Sequence, residues 1–241
     1  MTATAYDVLI IGAGIVGAAC AFRLSEQGLR VGLLEAADAP AMGSTGKSAA
    51  GVRVQFSTEA NVRLSLQSIE EYRDFPHLYG QDVGYRPVGY LLLVPESDWQ
   101  PHYAAVEVQR RVGAPVEVLT PQGAQRIVQF DTAGLHSATY GPIDGVVDPH
   151  GVTMAYLGMA REQGGVLHVA TEMQAAERVG GVWRVSTNRG TFEAPTVLNA
   201  AGPWARVVGE RAGLSVPVDP YRRMVFVTGA LGREHLYALT V

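Results

Sequence analysis

The chain has 241 residues, 47% of them hydrophobic and 17% charged, which is enough to bury one large core or two small ones and argues against disorder. Its formal net charge of −4 provides no basic field, which speaks against nucleic acid or an anionic membrane as a partner. The single cysteine, Cys20, excludes an internal disulfide and any multi-cysteine zinc or iron–sulfur centre, and it fits a reducing cytoplasm.

The first elements form one unit. Val8-Leu9-Ile10-Ile11 is a short apolar run of the kind that makes a fully buried parallel strand. It leads into Gly12-Ala13-Gly14-Ile15-Val16-Gly17, a complete G-x-G-x-x-G. A helix is expected from Ile15 to Gln27 with Gly28 closing it, then a strand from Arg30 to Leu34 that delivers Glu35, eighteen residues past Gly17. In such a βαβ unit Gly12 permits the tight turn, Gly14 lets backbone approach a pyrophosphate, and Gly17 lets helix and strand pack closely. The helix N-terminus offers amides and a positive dipole end to phosphates, and Glu35 can accept from a ribose diol while disfavouring a 2′-phosphate. The spacing predicts a dinucleotide site. No run is long and apolar enough to span a membrane, so a soluble, cytoplasmic protein is expected.

Ala36 to Gly46 reads as loop. Ser57-Thr58 offers cap chemistry for a helix from about Glu59 to Asp74, stopped by Pro76. Further on, Gly89 to Pro95 reads as a strand, Asp98 to Val112 as a helix capped by Ser97, and Val116 to Leu119 as a short strand. Thr120-Pro121 starts a short helix from Gln122 to Val128, and Ser137 to Gly141 makes a strand. Asp148-Pro149 opens a helix to about Glu162, followed by a strand from Val166 to Thr171. Met173 to Val179, Val182 to Ser186 and Thr191 to Ala194 are separated by glycine-containing turns and read as a meander. A buried strand from Thr196 to Ala200, a helix from Pro203 to Ala212 and a strand from Met224 to Thr228 complete the pattern.

Three later blocks narrow the cofactor: Gly43-Ser44-Thr45-Gly46-Lys47-Ser48-Ala49-Ala50-Gly51, then Val147-Asp148-Pro149, then Thr196 to Ala205. With the βαβ unit, in this order, they resemble the D-amino-acid oxidase-like FAD-dependent oxidoreductases, in the branch of glycine oxidase, the sarcosine oxidase β-subunit and dimethylglycine dehydrogenase. The resemblance covers nearly the whole chain. It implies an α/β fold: a Rossmann-like FAD-binding domain (βαβ plus β-meander), residues 1–84 with 143–212, and an inserted antiparallel α+β substrate domain, residues 85–142 with 213–241, incomplete at the C-terminus.

By that resemblance Gly12, Gly14, Ile15, Val16 and Gly17 hold the pyrophosphate of FAD and Glu35 the adenosine ribose. Ser44 and Thr45 meet the adenosine-phosphate half, and Ser48, Ala49, Ala50 and Gly51 run beside the isoalloxazine. Met173 offers backbone hydrogen bonds to adenine, and Ala200, Ala201 and Gly202 pack against the middle of the cofactor. The implied reaction is hydride transfer from the carbon beside a substrate amine to flavin N5. An amino-acid substrate then needs a cation for its carboxylate, and arginine supplies a bidentate one. Arg53, two residues past Gly51, is the first candidate, although a structural salt bridge or a phosphate contact fits it equally; Arg222 and Arg223 are weaker candidates.

The expected activity is thus oxidation of the C–N bond of a small amino acid or N-methylated amine by an FAD enzyme with no metal. The alternative is a truncated or split FAD-binding subunit, inactive alone and completed by a second chain. A nicotinamide-dependent dehydrogenase shares the βαβ unit but leaves the Ser44–Gly51 loop and the Asn199–Trp204 block without a role.

Overall fold

The structure, a computed structural model, describes residues 3–224. In chain order the strands are β1 (Thr4–Ala5), β2 (Val8–Ile11), β3 (Val31–Leu34), β4 (Gly51–Val52), β5 (Tyr90–Pro95), β6 (Glu117–Leu119), β7 (Leu135–Gly141), β8 (Gly145–Val146), β9 (Val166–His168), β10 (Met173–Val179), β11 (Val182–Thr187), β12 (Gly190–Ala194) and β13 (Thr196–Asn199). The α-helices are α1 (Ile15–Glu26), α2 (Glu59–Tyr79), α3 (Trp99–Arg111), α4 (Pro121–Ala124), α5 (Pro149–Glu162) and α6 (Ala205–Arg211). The described residues form two compact units, 3–48 with 148–224 and 49–147.

The first unit holds a parallel sheet of order β13-β2-β3-β9. Strands β2 and β3 are buried along their whole length, which is why they read as continuous apolar runs instead of alternating ones. Helices α1 and α5 pack against each other, with Phe22 and Tyr156 stacked at 5.9 Å between ring centres. A second sheet, β1-β12-β11-β10, carries the expected meander, and β1 joins its edge in parallel with β12. The core between the two sheets contains Leu9, Ile11, Leu34, Met173, Val185 and Phe192. Burying one such side chain contributes about 1.5–3 kcal/mol.

The second unit is built on an antiparallel sheet, β5-β7-β6, and a two-stranded ladder, β4-β8. Val54, Val62, Ile69 and Val106 form its core with Ala114 and Val116. Buried Phe75 stacks edge-on against Tyr79 at 4.7 Å.

Several expectations need correction. Helix α2 does not stop before Pro76 but runs to Tyr79, because Phe75 is anchored in the core and the left-handed Gly80 (φ 68°) ends the helix one turn later. The strand expected from Val166 to Thr171 closes at His168. There Ala170 turns into the left-handed region (φ 48°) and its amide reaches the Ala37 carbonyl at 2.6 Å. Helix α4 has four residues instead of the expected run to Val128. The compact units divide at 48/49 and 147/148, with α2 packed in the antiparallel unit. The strand expected from Met224 to Thr228 lies, past its first residue, outside the described residues. Among the described residues no helix is long and apolar enough to cross a membrane.

Candidate functional site

In the first unit, β2 delivers the glycine turn. Gly12 adopts φ 105°, and a Cβ there would lie 2.6 Å from the Ala200 carbonyl oxygen. A Cβ on Gly17 would lie 1.9 Å from the Gly12 carbonyl oxygen. Both positions are therefore closed to any side chain by neighbouring backbone. Gly14 differs: its Cβ would meet only the Thr45 hydroxyl, at 3.0 Å. The first intrahelical bond of α1 runs from Ala18 to the Gly14 carbonyl at 2.9 Å, so the amides of Ile15, Val16 and Gly17 precede the ladder. That of Ile15 donates to the Thr45 hydroxyl at 3.1 Å. No acidic side chain stands in this first turn. Amides at a helix start, with the positive end of the helix dipole behind them, favour an anion.

Glu35 closes the turn from the other side. Its Oε2 accepts from the Ala13 amide at 2.8 Å and its Oε1 from the Ala37 amide at 2.9 Å. The carboxylate therefore ties the turn to the loop after β3, and each oxygen keeps acceptor capacity. The 41–48 loop is docked on the same turn. The Ala41 amide donates to the Ala13 carbonyl at 3.1 Å, and the Gly46 amide donates to the Ala41 carbonyl at 2.9 Å. Ala41 has φ 61°, unusual for a residue with a Cβ. Ser44 is exposed, and the Ser48 hydroxyl donates to the Thr45 carbonyl at 3.0 Å.

The remaining expected positions of this unit are also placed. The Ala200 amide donates to the Ile11 carbonyl at 2.9 Å, the Ala201 amide to Asn199 Oδ1 at 3.2 Å, and Gly202 has φ 53°. Met173 is buried, 3% exposed, and its carbonyl accepts from the Arg211 guanidinium. Gly12, Gly14, Gly17, Glu35, Thr45 and Ala200 thus meet around one turn, while Met173 lies in the core between the sheets.

In the second unit, Ala50 adopts φ 62° and its carbonyl accepts from the Val147 amide at 3.1 Å. Ala49 is exposed. Gly51 pairs with Val146, and a Cβ there would lie 1.9 Å from the Tyr90 hydroxyl. Arg53 is exposed and its guanidinium sits 4.9 Å over the Phe56 ring. It lines an open cleft of 520 Å³ with Gly51, Phe56, Asn61, Ser65 and Tyr72.

Behind Arg53 is a buried polar chain that sequence reading missed. Asp144, fully buried, accepts from the Val54 amide at 2.7 Å and from Gln55 Nε2 at 3.0 Å. The Thr139 hydroxyl donates to Gln55 Oε1 at 2.8 Å, and His102 Nε2 stands 2.9 Å from that hydroxyl. Burial pushes the Asp144 carboxyl above the usual carboxylate range, against the opposing pull of the Gln55 and Val54 bonds and the Arg53 charge.

Comparisons with known proteins decide the family. The family model described as "DAO: FAD dependent oxidoreductase" matches residues 7–239. The chain belongs to the DAO family of FAD dependent oxidoreductases. The mitochondrial dimethylglycine dehydrogenase of Rattus norvegicus is 30% identical over 230 residues, covering 93% of this chain and 27% of that protein. Glycine oxidase of Geobacillus kaustophilus (strain HTA426) is 33% identical over 231 residues, 90% of this chain and 60% of that protein. The crystal structure of L-proline dehydrogenase from P. horikoshii superposes with a TM-score of 0.79 at 31% identity, over 88% of this chain and 57% of that one. The chain thus spans between about a quarter and three fifths of the length of these relatives. The family assignment displaces the nicotinamide-dependent reading and bears out the α/β fold of the DAO type.

Proposed function

We propose that this chain holds FAD and serves an oxidoreductase that removes a hydride from the carbon beside the nitrogen of a small amino acid or N-methylated amine. The observation that carries the reading is the glycine turn. Two glycines are closed to side chains by backbone, while at the third a Cβ would meet no backbone and only the Thr45 hydroxyl, at 3.0 Å, beside helix-start amides and the Glu35 carboxylate. These residues fit a dinucleotide. Bound there, FAD supplies the hydride acceptor, N5 of its ring.

The chain's own residues do the rest. Gly12, Gly14, Ile15, Val16 and Gly17 present backbone to the pyrophosphate, and Glu35 accepts from the adenosine ribose with its remaining lone pairs. Ser44 and Thr45 face the adenosine-phosphate half, and Ser48, Ala49, Ala50 and Gly51 border the isoalloxazine. Ala200, Ala201 and Gly202 back the cofactor's centre, and Met173 supports the adenine end. Arg53 pairs with the substrate carboxylate and so orients the C–H bond. Substrates in keeping with this are glycine, sarcosine, dimethylglycine and proline.

The test is a visible spectrum of the purified chain after incubation with FAD and removal of the excess, followed by anaerobic addition of each candidate. Retained flavin bands that bleach with one of them support the full reading. Retained bands that no amine bleaches leave an FAD-holding chain without turnover of its own, the second reading. A protein that stays colourless overturns both.

A further inference from the structure

The strongest feature outside the cofactor cradle is the buried carboxylate of Asp144. Buried charges are found paired with cations or serving many hydrogen bonds, because desolvating an ion is otherwise expensive. Among the described residues Asp144 forms no salt bridge; both of its oxygens instead accept from the two residues that follow Arg53. The site is shaped around it. A Cβ on Gly141 would lie 2.3 Å from the carboxylate, so the Gly141 backbone packs directly against it.

The backbone of Arg53 is consequently bracketed. On one side Gly51 and Val52 are paired with Val146 and Gly145; on the other Val54 and Gln55 are held by Asp144. Gln55 is itself fixed by the Tyr90 carbonyl, which accepts from its Nε2 at 3.0 Å, and by Thr139. The backbone of Phe56, whose ring lies beneath the guanidinium, is held as well, since buried Gln109 donates to the Phe56 carbonyl at 2.9 Å. An arginine with several rotatable bonds acquires a defined direction only if its base is rigid.

We propose that Asp144 is a positioning residue for Arg53: its buried carboxylate clamps Val54 and Gln55 and so fixes the direction in which the Arg53 guanidinium leaves the chain. This rests on the reading of Arg53 as the carboxylate-binding cation. The hydrogen-bond directions make the carboxylate specific. Thr139 donates to Gln55 Oε1, so Gln55 presents its amide nitrogen to Asp144, and only an acceptor answers it. Asparagine has nearly the same shape but carries one oxygen. If that oxygen stays with Val54, its NH₂ group faces the Gln55 NH₂ group, and one of the two must turn away.

The experiment uses the full chain labelled with ¹⁵N-arginine, with the Arg53 Nε–H resonance assigned from Arg53→Lys and benzoate as the carboxylate probe. Asp144→Asn is expected to keep the backbone amide spectrum while the heteronuclear NOE of Arg53 Nε–H falls and that of Arg184 does not. Benzoate is expected to bind about tenfold more weakly, in line with the sensitivity of binding sites to small misplacements. If benzoate binds neither protein yet Arg53 still loosens selectively, the carboxylate reading of Arg53 fails and the positioning role stands. A folded Asp144→Asn with Arg53 as ordered as before overturns the proposal. So does equal loosening of Arg53 and Arg184, which marks a purely structural role. If Asp144→Asn does not fold, Gln55→Leu decides: it keeps the Val54 clamp, Arg53 is expected to loosen part way, and unchanged order overturns the proposal.

Discussion

The Glu35 carboxylate and the Ala13 amide are joined at 2.8 Å, so the acid at the end of β3 is a structural tie of the glycine turn before it is a ligand to anything. Its second oxygen holds Ala37. Glu35→Gln keeps one acceptor and turns a donor toward the other amide, leaving that amide unpaired. We expect the chain without FAD to lose about 1–3 kcal/mol of stability, read by urea unfolding. A role confined to the ribose predicts no change without FAD.

The glycines of the turn separate two effects. Gly17→Ala puts a Cβ 1.9 Å from the Gly12 carbonyl oxygen, so helix and strand must move apart. We expect a loss of about 1–3 kcal/mol or more and no retained flavin. Gly14→Ala meets only the Thr45 hydroxyl, so it should fold with a loss of about 1 kcal/mol or less. If the proposed pyrophosphate site is right, the added methyl group also crowds it, and FAD affinity should fall at least about tenfold. Thermal melts and FAD titration of the two variants check the contrast.

Arg53→Lys keeps the charge and loses the planar fork. If Arg53 grips a substrate carboxylate in the ground state and the transition state alike, KM should rise by about 10-fold to 100-fold with kcat changed little. Steady-state kinetics on the enzyme that turns over would show this split. An equal fall in kcat and kcat/KM places Arg53 in the transition state alone.

Stability should depend on His168. The Tyr6 hydroxyl and His168 Nε2 stand 2.7 Å apart, and burial holds the imidazole below its ordinary value. With the folded pKa depressed, the unfolded chain takes up the proton first as the pH falls. The contribution is complete above about 6.5 and declines as pH drops through that value toward the lower folded one. His102 is shifted in the same direction by the same cause. The urea midpoint should therefore fall between about pH 7.5 and 5.5, and His168→Gln should give a shallower fall. An unchanged slope would show that His168 does not contribute to it.

The parts of this site legible in the sequence are those carried by local pattern. Val8 to Ile11, the three spaced glycines and Glu35 lie within one short stretch, and each residue type answers a local demand of the turn. The meander was legible because glycine turns punctuate it. The polar chain was not, because Asp144 and Val54 are ninety positions apart and an Asp-Gly pair reads as any turn. Strands β4 and β8 have two residues each, too few to show a period. The tie from Glu35 to Ala13 joins residues whose sequence patterns point apart, one toward a sugar and one toward a turn. Pro76 misled for the opposite reason: the local rule was sound, and the burial of Phe75 overrode it.

Ala41, Ala50 and Ala170 are the described residues other than glycine with positive φ, and each lies in or beside a segment of the proposed cofactor site. An alanine held there is strained by about 1–2 kcal/mol relative to the right-handed form. Glycine would relieve that strain but would leave the loop freer to take other shapes. The loops are therefore preorganised at a standing expense in stability. Each such segment, taken by itself, would need less ordering to meet a ligand than a glycine-containing one.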